Sequence, residues 1–207
     1  MKNPGSRILK YETYCAMPWR NGRGSTLEIA REPASGVEVA WRLSLADIDG
    51  DADFSAYVGY SRALVLVAGT SLRLRFRGHG RRFLDSATRS ALFEGDWQTH
   101  CSLPEGRCTD LSLIVRKGPA PRSVPVIRKP AILRLDTSRR VVLTQDLYGV
   151  LFVLDGSVAV TESVRCATCT LRARETLLLA PGPRRTLALR SVGPLPAELV
   201  VLRWRPG

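Results

Sequence analysis

The six residues Leu64–Gly69, LVLVAG, form an apolar run that ends in glycine. A similar run, LFVLDG, occupies Leu151–Gly156, at an offset of 87 residues (156 minus 69). A second pair of segments, Asp110–Val115 and Glu198–Arg203, repeats in the same order at an offset of 88 (198 minus 110). Because two separate landmarks keep nearly the same offset, the chain is predicted to contain two copies of one structural unit.

The segments around these landmarks alternate apolar and polar residues, as half-buried β-strands do. Ser71–Arg77 places leucine and phenylalanine on one face and three arginines on the other. We expect it to form a hairpin with Ala63–Val67 about Gly69. No segment longer than a turn or two has helical spacing. The sequence therefore predicts an all-β chain of two sandwiches or barrels, whose sheets close off their own edges.

A proline-rich stretch separates the two halves. Residues 119–130 carry prolines at 119, 121, 125 and 130 without periodicity, which is typical of a connector. We therefore predict an N-terminal unit over residues 1–118 and a C-terminal unit over residues 131–207. The first unit should also contain strands at Val37–Ala46, Ser90–Trp97 and Leu111–Val115, a turn at Gly78–Arg82 and an acidic loop at Ile48–Ser55. The strands predicted in the second unit are Ala131–Leu135, Val141–Thr144, Gly149–Leu154, Ser157–Thr161, Cys166–Arg172, Thr176–Leu179, Thr186–Ser191 and Glu198–Trp204.

The stretch Met17–Ala30, MPWRNGRGSTLEIA, holds more unlike functional groups than a structural turn requires. Thr26 and Glu28 are two residues apart, so in a strand their side chains share one face. The glycines allow a ligand or another chain to come close to the backbone. These features favour a binding surface, and the alternative is an ordinary loop that runs into an edge strand.

This stretch resembles the opening signature of the HutD/Ves family, in which a Met-Pro-Trp-basic-Asn-Gly-x-Gly-x-Thr-x-Glu-Ile run lies near the N-terminus. Further segments match in order across residues 17–118: Trp41–Ala46, Phe54–Ser55 with Gly59 and Arg62, Phe93–Asp96, and Asp110–Leu111. Beyond Gly118 the resemblance is loose. Three positions depart from the family pattern. Arg23 stands where many members have a glycine, Val58–Gly59 stands where a Pro-Gly is usual, and Ser112 stands where an asparagine is common.

The resemblance implies a bicupin, with two tandem cupin-like barrels or jelly rolls in one chain. It also implies a bacterial family that genomic context links to histidine utilisation and, in other members, to stress responses. No catalytic activity is firmly established for the family, and a fold by itself does not fix a function.

The net charge is +12, from 31 Lys and Arg against 19 Asp and Glu, and lysine occurs only at positions 2, 10, 117 and 129. A basic balance is typical of nucleic-acid-binding proteins. Here the arginines occur singly or in pairs, with no clustered run and no recognisable nucleic-acid motif. The sequence therefore favours solvated surface arginines over a nucleic-acid partner, apart from weak nonspecific adhesion to polyanions.

The N-terminus lacks the uninterrupted apolar core of a signal peptide, and no stretch is long enough to span a bilayer. We therefore expect a cytoplasmic protein without a membrane partner. Its five cysteines, an odd number, are then expected to be reduced thiols. Association as a homodimer is left open.

Metal chemistry has few candidate ligands in this sequence. Cupins commonly bind a metal through several histidines and a carboxylate, but the chain has only His79 and His100. The Cys166–Cys169 pair supplies only half of the ligands of a structural zinc site. The acidic loop at Ile48–Ser55 lacks the glutamate that completes the calcium coordination of an EF-hand. A Gly-x-Ser-x-Gly elbow and a glycine-rich phosphate cradle are also absent. We predict no metal, no cofactor and no defined catalytic set.

What remains is a pocket suited to a small carboxylate. Arginine offers carboxylates a planar fork, amides and hydroxyls complete the hydrogen bonds, and aromatic rings wall the site. The predicted ligand-binding residues are Trp19, Arg20, Asn21, Thr26, Glu28, Trp41, Arg42, Ser44, Phe54, Ser55, Arg62, Asp96 and Asp110. The alternative is that the arginines and acids form buried ion pairs that only fix the strands in place.

Three hypotheses follow for the function. The first is a non-enzymatic binding or regulatory bicupin that senses a small carboxylate, by family analogy an N-formyl or N-formimino glutamate. The second is a metal-free isomerase, epimerase or hydrolase of a small acylamino acid, with Glu28, Asp96 or Asp110 as acid or base. The third is a structural protein that self-associates through its sheet faces.

Overall fold

A computed structural model of the chain describes residues 5–19, 24–33, 38–118, 126–144, 146–163 and 167–205. Apart from a 3₁₀ turn at Tyr11–Thr13, the regular elements of this part of the chain are strands. They are β1 Ser6–Leu9, β2 Cys15–Pro18, β3 Gly24–Glu32, β4 Trp41–Ile48, β5 Ala52–Phe54, β6 Tyr60–Ala68, β7 Leu72–Phe76, β8 Gly80–Leu84, β9 Ser90–Glu94, β10 Thr99–Ser102, β11 Cys108–Arg116, β12 Ala131–Leu135, β13 Arg139–Leu143, β14 Tyr148–Asp155, β15 Ser157–Glu162, β16 Ala167–Arg172, β17 Thr176–Leu179, β18 Arg185–Ser191 and β19 Ala197–Trp204. The all-β prediction is confirmed. The described residues include no helix long and apolar enough to cross a membrane.

The chain divides into two compact units, one of Tyr14–Ile127 and one of residues 1–13 with Arg128–Pro206. The division after Ile127 falls inside the stretch predicted as a connector, of which residues 119–125 lie outside the described part. The first thirteen residues belong to the same unit as residues 128–206 and not to the predicted unit of residues 1–118, because β1 pairs antiparallel with β17. Such long-range pairing leaves no local signal in a strand of four residues.

The unit of residues 14–127 is a sandwich of two antiparallel sheets. One has six strands in the order β2-β3-β4-β11-β6-β9, and the other has four in the order β5-β10-β7-β8. Apolar side chains from both sheets meet in one core, because alternate residues of each strand point inward. The buried members of that core are Ile48, Leu64, Leu66, Leu72, Leu74, Phe76, Leu84, Ala91, Phe93, Cys101 and Cys108.

The second unit repeats this plan with a five-stranded sheet, β1-β17-β14-β19-β12, and a four-stranded sheet, β13-β18-β15-β16. Its core is aliphatic and draws on both sheets, with Leu151 and Leu199 on one side and Val158 and Leu187 on the other. The strands predicted for the C-terminal half all occur, with ends that shift by at most two residues.

The internal repeat is visible in backbone detail. β11 pairs with β6 across a bulge that skips Val67, and β14 pairs with β19 across a bulge that skips Leu154, 87 residues later (154 minus 67). The glycines that follow, Gly69 and Gly156, both have positive φ angles, 90° and 75°. A bulge is a specific irregularity of strand pairing, so its recurrence at the sequence offset supports two copies of one unit.

Two local predictions in the first half are wrong, and a third is right only in part. Ala63–Val67 and Ser71–Arg77 do not form a hairpin, because β6 and β7 belong to different sheets and the chain crosses between them at Gly69. β7 pairs instead with β8 and β10. The predicted Gly78–Arg82 turn occurs at residues 77–79, because β8 already begins at Gly80. The predicted acidic loop contains β5, which is too short for alternation to show and pairs with β10.

Replacing Gly69 with alanine is expected to destabilise the protein more than replacing Gly106. The two φ angles are 90° and 89°, so each alanine costs about 1–2 kcal/mol of backbone strain. A Cβ at Gly69 would lie 2.7 Å from the Cβ of Cys108, whereas Gly106 faces open space. Urea unfolding should therefore show a further loss of about 1–3 kcal/mol in G69A. Equal losses in the two variants would contradict this close approach.

Candidate ligand-binding site

A cavity of about 420 Å³ opens in the unit of residues 14–127. Its walls come from strands of the six-stranded sheet, from β5 and from the loop that follows β5. The lining residues are Trp19, Thr26, Arg42, Ser44, Ala46, Asp53, Phe54, Ser55, Tyr57, Arg62, Asp110 and Ser112. Most of the predicted binding residues that the structure describes are therefore brought together in one place.

Strand alternation and register explain why polar groups meet here. Residues two apart on a strand share a face, so Ser44 and Ala46 of β4 point the same way. In the neighbouring strand β11, Asp110 lies opposite Ala46 and Ser112 lies opposite Ser44. The pairing of β3 with β4 then adds Thr26, opposite Ala46. One face of three adjacent strands thus supplies the floor of the cavity.

Arg62 is the most enclosed cation of the site, with 8% of its surface exposed. Its Nη1 donates to the Ser55 carbonyl oxygen at 3.3 Å, and its guanidinium lies 4.9 to 5.4 Å from the ring centres of Phe54, Tyr57 and Phe93. Burial lowers the pKa of Arg62 to about 10, although the nearby Asp110 opposes the change. Its buried Nε has no hydrogen-bond partner among the described residues.

Arg42 approaches the same tyrosine from β4. Its Nη2 donates to the Tyr57 hydroxyl at 2.6 Å, and its guanidinium lies 5.3 Å from the centre of that ring. The Nε of Arg42 is also buried without a partner in the described part of the chain. Two cations therefore share the Tyr57 ring, and the Nε atom of each is without a hydrogen-bond partner among the described residues.

Asp110 provides the acid of the site and is 1% exposed. Burial raises its pKa to about 7, with a further rise from Asp47 and an opposing effect of Arg62. Its Oδ1 makes no hydrogen bond to any described residue. At neutral pH this carboxyl group is thus divided between its neutral and ionised forms, and the neutral form can donate a hydrogen bond.

Trp19 closes another side of the cavity, held by a hydrogen bond from its Nε1 to the Thr26 hydroxyl at 2.8 Å. Gly24 makes this packing possible, because a Cβ there would lie 3.1 Å from the indole ring and 2.4 Å from the Asp47 carbonyl oxygen. Close packing against Trp19 and the Asp47 backbone therefore explains the glycine at position 24, the second glycine of the signature stretch.

Five of the predicted residues are placed elsewhere or cannot be placed. Trp41 is 2% exposed, and its Nε1 donates to a carboxylate oxygen of Glu32 at 3.0 Å, so it is a core residue on the other face of β4. Glu28 shares the face of Thr26 but pairs with Arg31 at 3.9 Å and does not line the cavity. Arg20 and Asn21 lie outside the described residues, as does Arg23.

Asp96, the fifth, supports the site from outside. Its Oδ1 accepts a hydrogen bond from the Gly59 amide at 2.7 Å, and its Oδ2 lies 3.2 Å from the Lys117 ammonium. The carbonyl oxygen of the preceding Gly95 accepts a hydrogen bond from the Tyr57 amide at 2.8 Å. A Cβ on Gly95 would lie 2.3 Å from the Tyr57 carbonyl oxygen. This bend therefore fixes the loop that carries Tyr57.

The structure adds four lining residues that the sequence prediction missed: Ala46, Asp53, Tyr57 and Ser112. Ala46 and Ser112 each lie two residues beyond a predicted member, so strand alternation alone could have indicated them. Tyr57 lies in a loop without periodicity, and nothing in the sequence ties it to the arginines.

The histidines and cysteines do not enter the cavity. His79 stacks on Trp97 with ring centres 4.4 Å apart, and the Nδ1 of His100 lies 2.7 Å from Asp53 Oδ1. Cys101 and Cys108 are buried in the core, and burial raises the pKa of Cys108 to about 12. In the described part of the chain no three His, Cys, Asp or Glu side chains lie close enough together to hold a metal. Cys166 lies outside that part.

Comparison with curated proteins finds relatives in bacteria. An uncharacterised 21.2 kDa protein of the hutC 3′ region in Pseudomonas putida is 38% identical over 109 residues, which are 52% of this chain and 57% of that protein. Protein Ves of Citrobacter koseri is 32% identical over 102 residues, 48% of this chain and 52% of Ves. The chain thus spans just over half the length of these curated relatives.

Solved structures agree over nearly the whole chain. A conserved protein of unknown function from Pseudomonas aeruginosa PAO1 superposes with a TM-score of 0.81 at 30% identity, covering 95% of this chain and 97% of that one. HutD from Pseudomonas fluorescens SBW25, in a formate condition, gives a TM-score of 0.74 at 25% identity and covers 98% of this chain and 100% of its own.

The HutD family model matches residues 11–195, far beyond the N-terminal half that carries the signature. This match confirms the resemblance, and the two-sandwich, cupin-type architecture agrees with the all-β fold that strand alternation and the internal repeat predicted. The chain belongs to the HutD family.

Proposed function

We propose that the cavity binds a small organic anion and that the protein acts as a binding or regulatory protein, without a bound metal. The observation that carries the proposal is the set of buried groups without partners, which are the Nε atoms of Arg42 and Arg62 and the Oδ1 of Asp110. Leaving such groups unpaired in a protein interior is costly. A ligand with several oxygens satisfies all of them together.

The charges favour an anion over a cation. Two guanidinium groups face the cavity, and burial raises the pKa of Asp110, the buried acid among the lining residues, to about 7. Arginine binds carboxylates through paired N–H donors, and the walls of Trp19, Phe54 and Tyr57 suit a short carbon skeleton. The cavity volume, about 420 Å³, is within the usual range for small-molecule sites.

We further propose an acylamino acid as the ligand, such as an N-formyl or N-formimino glutamate of histidine utilisation. Two relatives support this choice, one being a protein of the hutC 3′ region and the other a HutD whose structure was obtained in a formate condition. In such a ligand the carboxylate faces the arginines, and an acyl or carboxylate oxygen accepts the proton of neutral Asp110. The proposal places the protein in the cytoplasm, in histidine utilisation or a stress response.

One observation favours the enzymatic alternative. A carboxyl group with a pKa of about 7, raised by burial, is well suited to transfer protons at neutral pH. Of the three acids first considered, only Asp110 lines the cavity. Incubation of the protein with N-formyl-L-glutamate, followed by mass spectrometry, separates the two functions. Turnover that Asp110→Asn abolishes would replace the binding role with catalysis.

Replacing Arg42 with methionine is expected to weaken binding of N-formyl-L-glutamate at least tenfold, since it removes a half-buried cation and its fork of donors. Isothermal titration calorimetry measures the change in Kd, and circular dichroism verifies the fold. Arg190→Met, at an exposed position of the other unit, serves as the control and should leave Kd unchanged. Equal affinity in R42M and the native protein would refute the assignment of this cavity.

Binding is also expected to weaken as pH rises through 7. Below that value Asp110 is neutral and donates to the ligand, and above it the ionised carboxylate repels the anion. If only the neutral form binds, Kd rises about tenfold between pH 6 and pH 8. Asp110→Asn keeps a donor at every pH, so its affinity should stay level across this interval.

Other titratable groups surround Asp110, and the binding experiment must distinguish their effect on the pH dependence of Kd from that of Asp110. They are Arg42, Arg62, Asp47, Tyr57, Cys101 and Cys108, together with the pair of His100 and Asp53 at the cavity wall. His100 contacts Asp53, a lining residue of the cavity, and is therefore the control position. His100→Gln should retain the pH dependence of the native protein, and a flat profile in that variant would transfer the effect from Asp110 to His100.

A further inference from the structure

A second and larger concavity, of about 970 Å³, lies on the four-stranded sheet of the same unit. Only Asp53 and Phe54 line both this groove and the carboxylate cavity. Its other polar walls are Arg75, Arg77, Arg81, Gln98 and His100. We call this concavity the arginine groove.

Strand pairing aligns these side chains in a row across the sheet. His100 lies opposite Asp53 on one side and opposite Arg75 on the other, and Arg75 in turn lies opposite Arg81. Arg73 shares the outward face of β7 with Arg75, because it is two residues away from it, and Arg77 follows directly after the strand. The arginines that looked scattered along the sequence thus form a cluster on one surface.

The positive charge of this surface is not balanced by protein groups. Within the described residues, Arg73, Arg75, Arg77 and Arg81 form no ion pair with a carboxylate, and the one acid of the groove, Asp53, pairs with His100 at 2.7 Å. The Nη1 of Arg77 donates to the Gln98 side-chain oxygen at 3.2 Å, a neutral partner. Like charges placed directly opposite each other, as Arg75 and Arg81 are, destabilise a sheet.

The chemistry of the groove favours phosphate over carboxylate. Three guanidinium groups in one concavity require more negative charge than a single carboxylate supplies. Each guanidinium presents planar, paired donors that match phosphate oxygens. Alternate residues of a strand are about 6.7 Å apart, so the arginines of β7 are spaced to contact successive phosphates of an extended chain.

We propose that the arginine groove binds a ligand with two or more adjacent phosphate groups, at a site separate from the carboxylate cavity. Such phosphates occur in free oligophosphates and in the phosphodiester backbone of single-stranded nucleic acid. Both present closely spaced anions to the same row of arginines.

The binding test uses the full chain and isothermal titration calorimetry at fixed ionic strength, with tripolyphosphate, orthophosphate and an oligothymidylate of eight nucleotides as probes. We expect tripolyphosphate to bind at least tenfold more tightly than orthophosphate. An oligothymidylate that competes with tripolyphosphate would assign the site to nucleic acid, and one that does not compete would assign it to free oligophosphates. Equal affinities for the two inorganic probes, or no binding of any probe, would overturn the proposal.

Variants locate the site. Arg75→Gln and Arg81→Gln should each weaken tripolyphosphate binding at least tenfold, whereas the exposed Arg190→Gln should not change it. Because removal of one opposed arginine relieves repulsion, neither groove variant should have a lower Tm than the native protein without ligand. N-formyl-L-glutamate binding should be unaffected in both. Loss of tripolyphosphate affinity that is the same in R190Q as in R81Q would show nonspecific attraction and refute the site.

Discussion

The burial of Arg62 and Asp110 within one sandwich is the constraint on which the site depends. Removing a guanidinium and a carboxyl group from water disfavours both charges, which agrees with the lowered pKa of Arg62 and the raised pKa of Asp110. Three aromatic rings around Arg62 make cation–π contacts that offset part of the cost of removing its charge from water. Hydrogen bonds from the described residues do not reach the Nε atom of Arg62 or the Oδ1 atom of Asp110. These buried atoms without partners distinguish the cavity from ordinary core.

Close packing outside the cavity keeps these groups in place. Gly24 and Gly95 allow close backbone contacts that any side chain would prevent, and they help to position the lining residues Trp19 and Tyr57. Asp96 holds the same loop through the Gly59 amide. The segments that resembled the family signature thus divide into residues that face the cavity and residues that position them.

The sequence was informative wherever chemistry follows strand alternation. Arg42, Ser44 and Asp110 were recovered because period-two spacing and a family resemblance both selected them, and the repeat correctly indicated two similar units. Trp41 was misplaced because the same alternation puts it on the opposite face from Arg42. The position of Tyr57 and the β1–β17 pairing depend on tertiary contacts, for which a single sequence holds no local signal. Arg75 and Arg81 meet across the short β7–β8 hairpin, which was missed because residues 80–84 were not predicted as a strand.

The duplicated architecture allows equivalent positions of the two units to be compared. At the offset of 87, Arg62 corresponds to Gly149, and at 88, Ser112 corresponds to the buried Val200. The buried charges of the second unit, Arg185 and Glu162, pair with each other at 3.5 Å, and Arg185 also donates to the Gly5 carbonyl oxygen at 3.2 Å. Charges that pair with each other offset part of the cost of their burial, whereas in the first unit the Nε atoms of Arg42 and Arg62 and the Oδ1 atom of Asp110 have no hydrogen-bond partner among the described residues. The same β-framework therefore holds a paired set of buried charges in one copy and an unpaired set in the other.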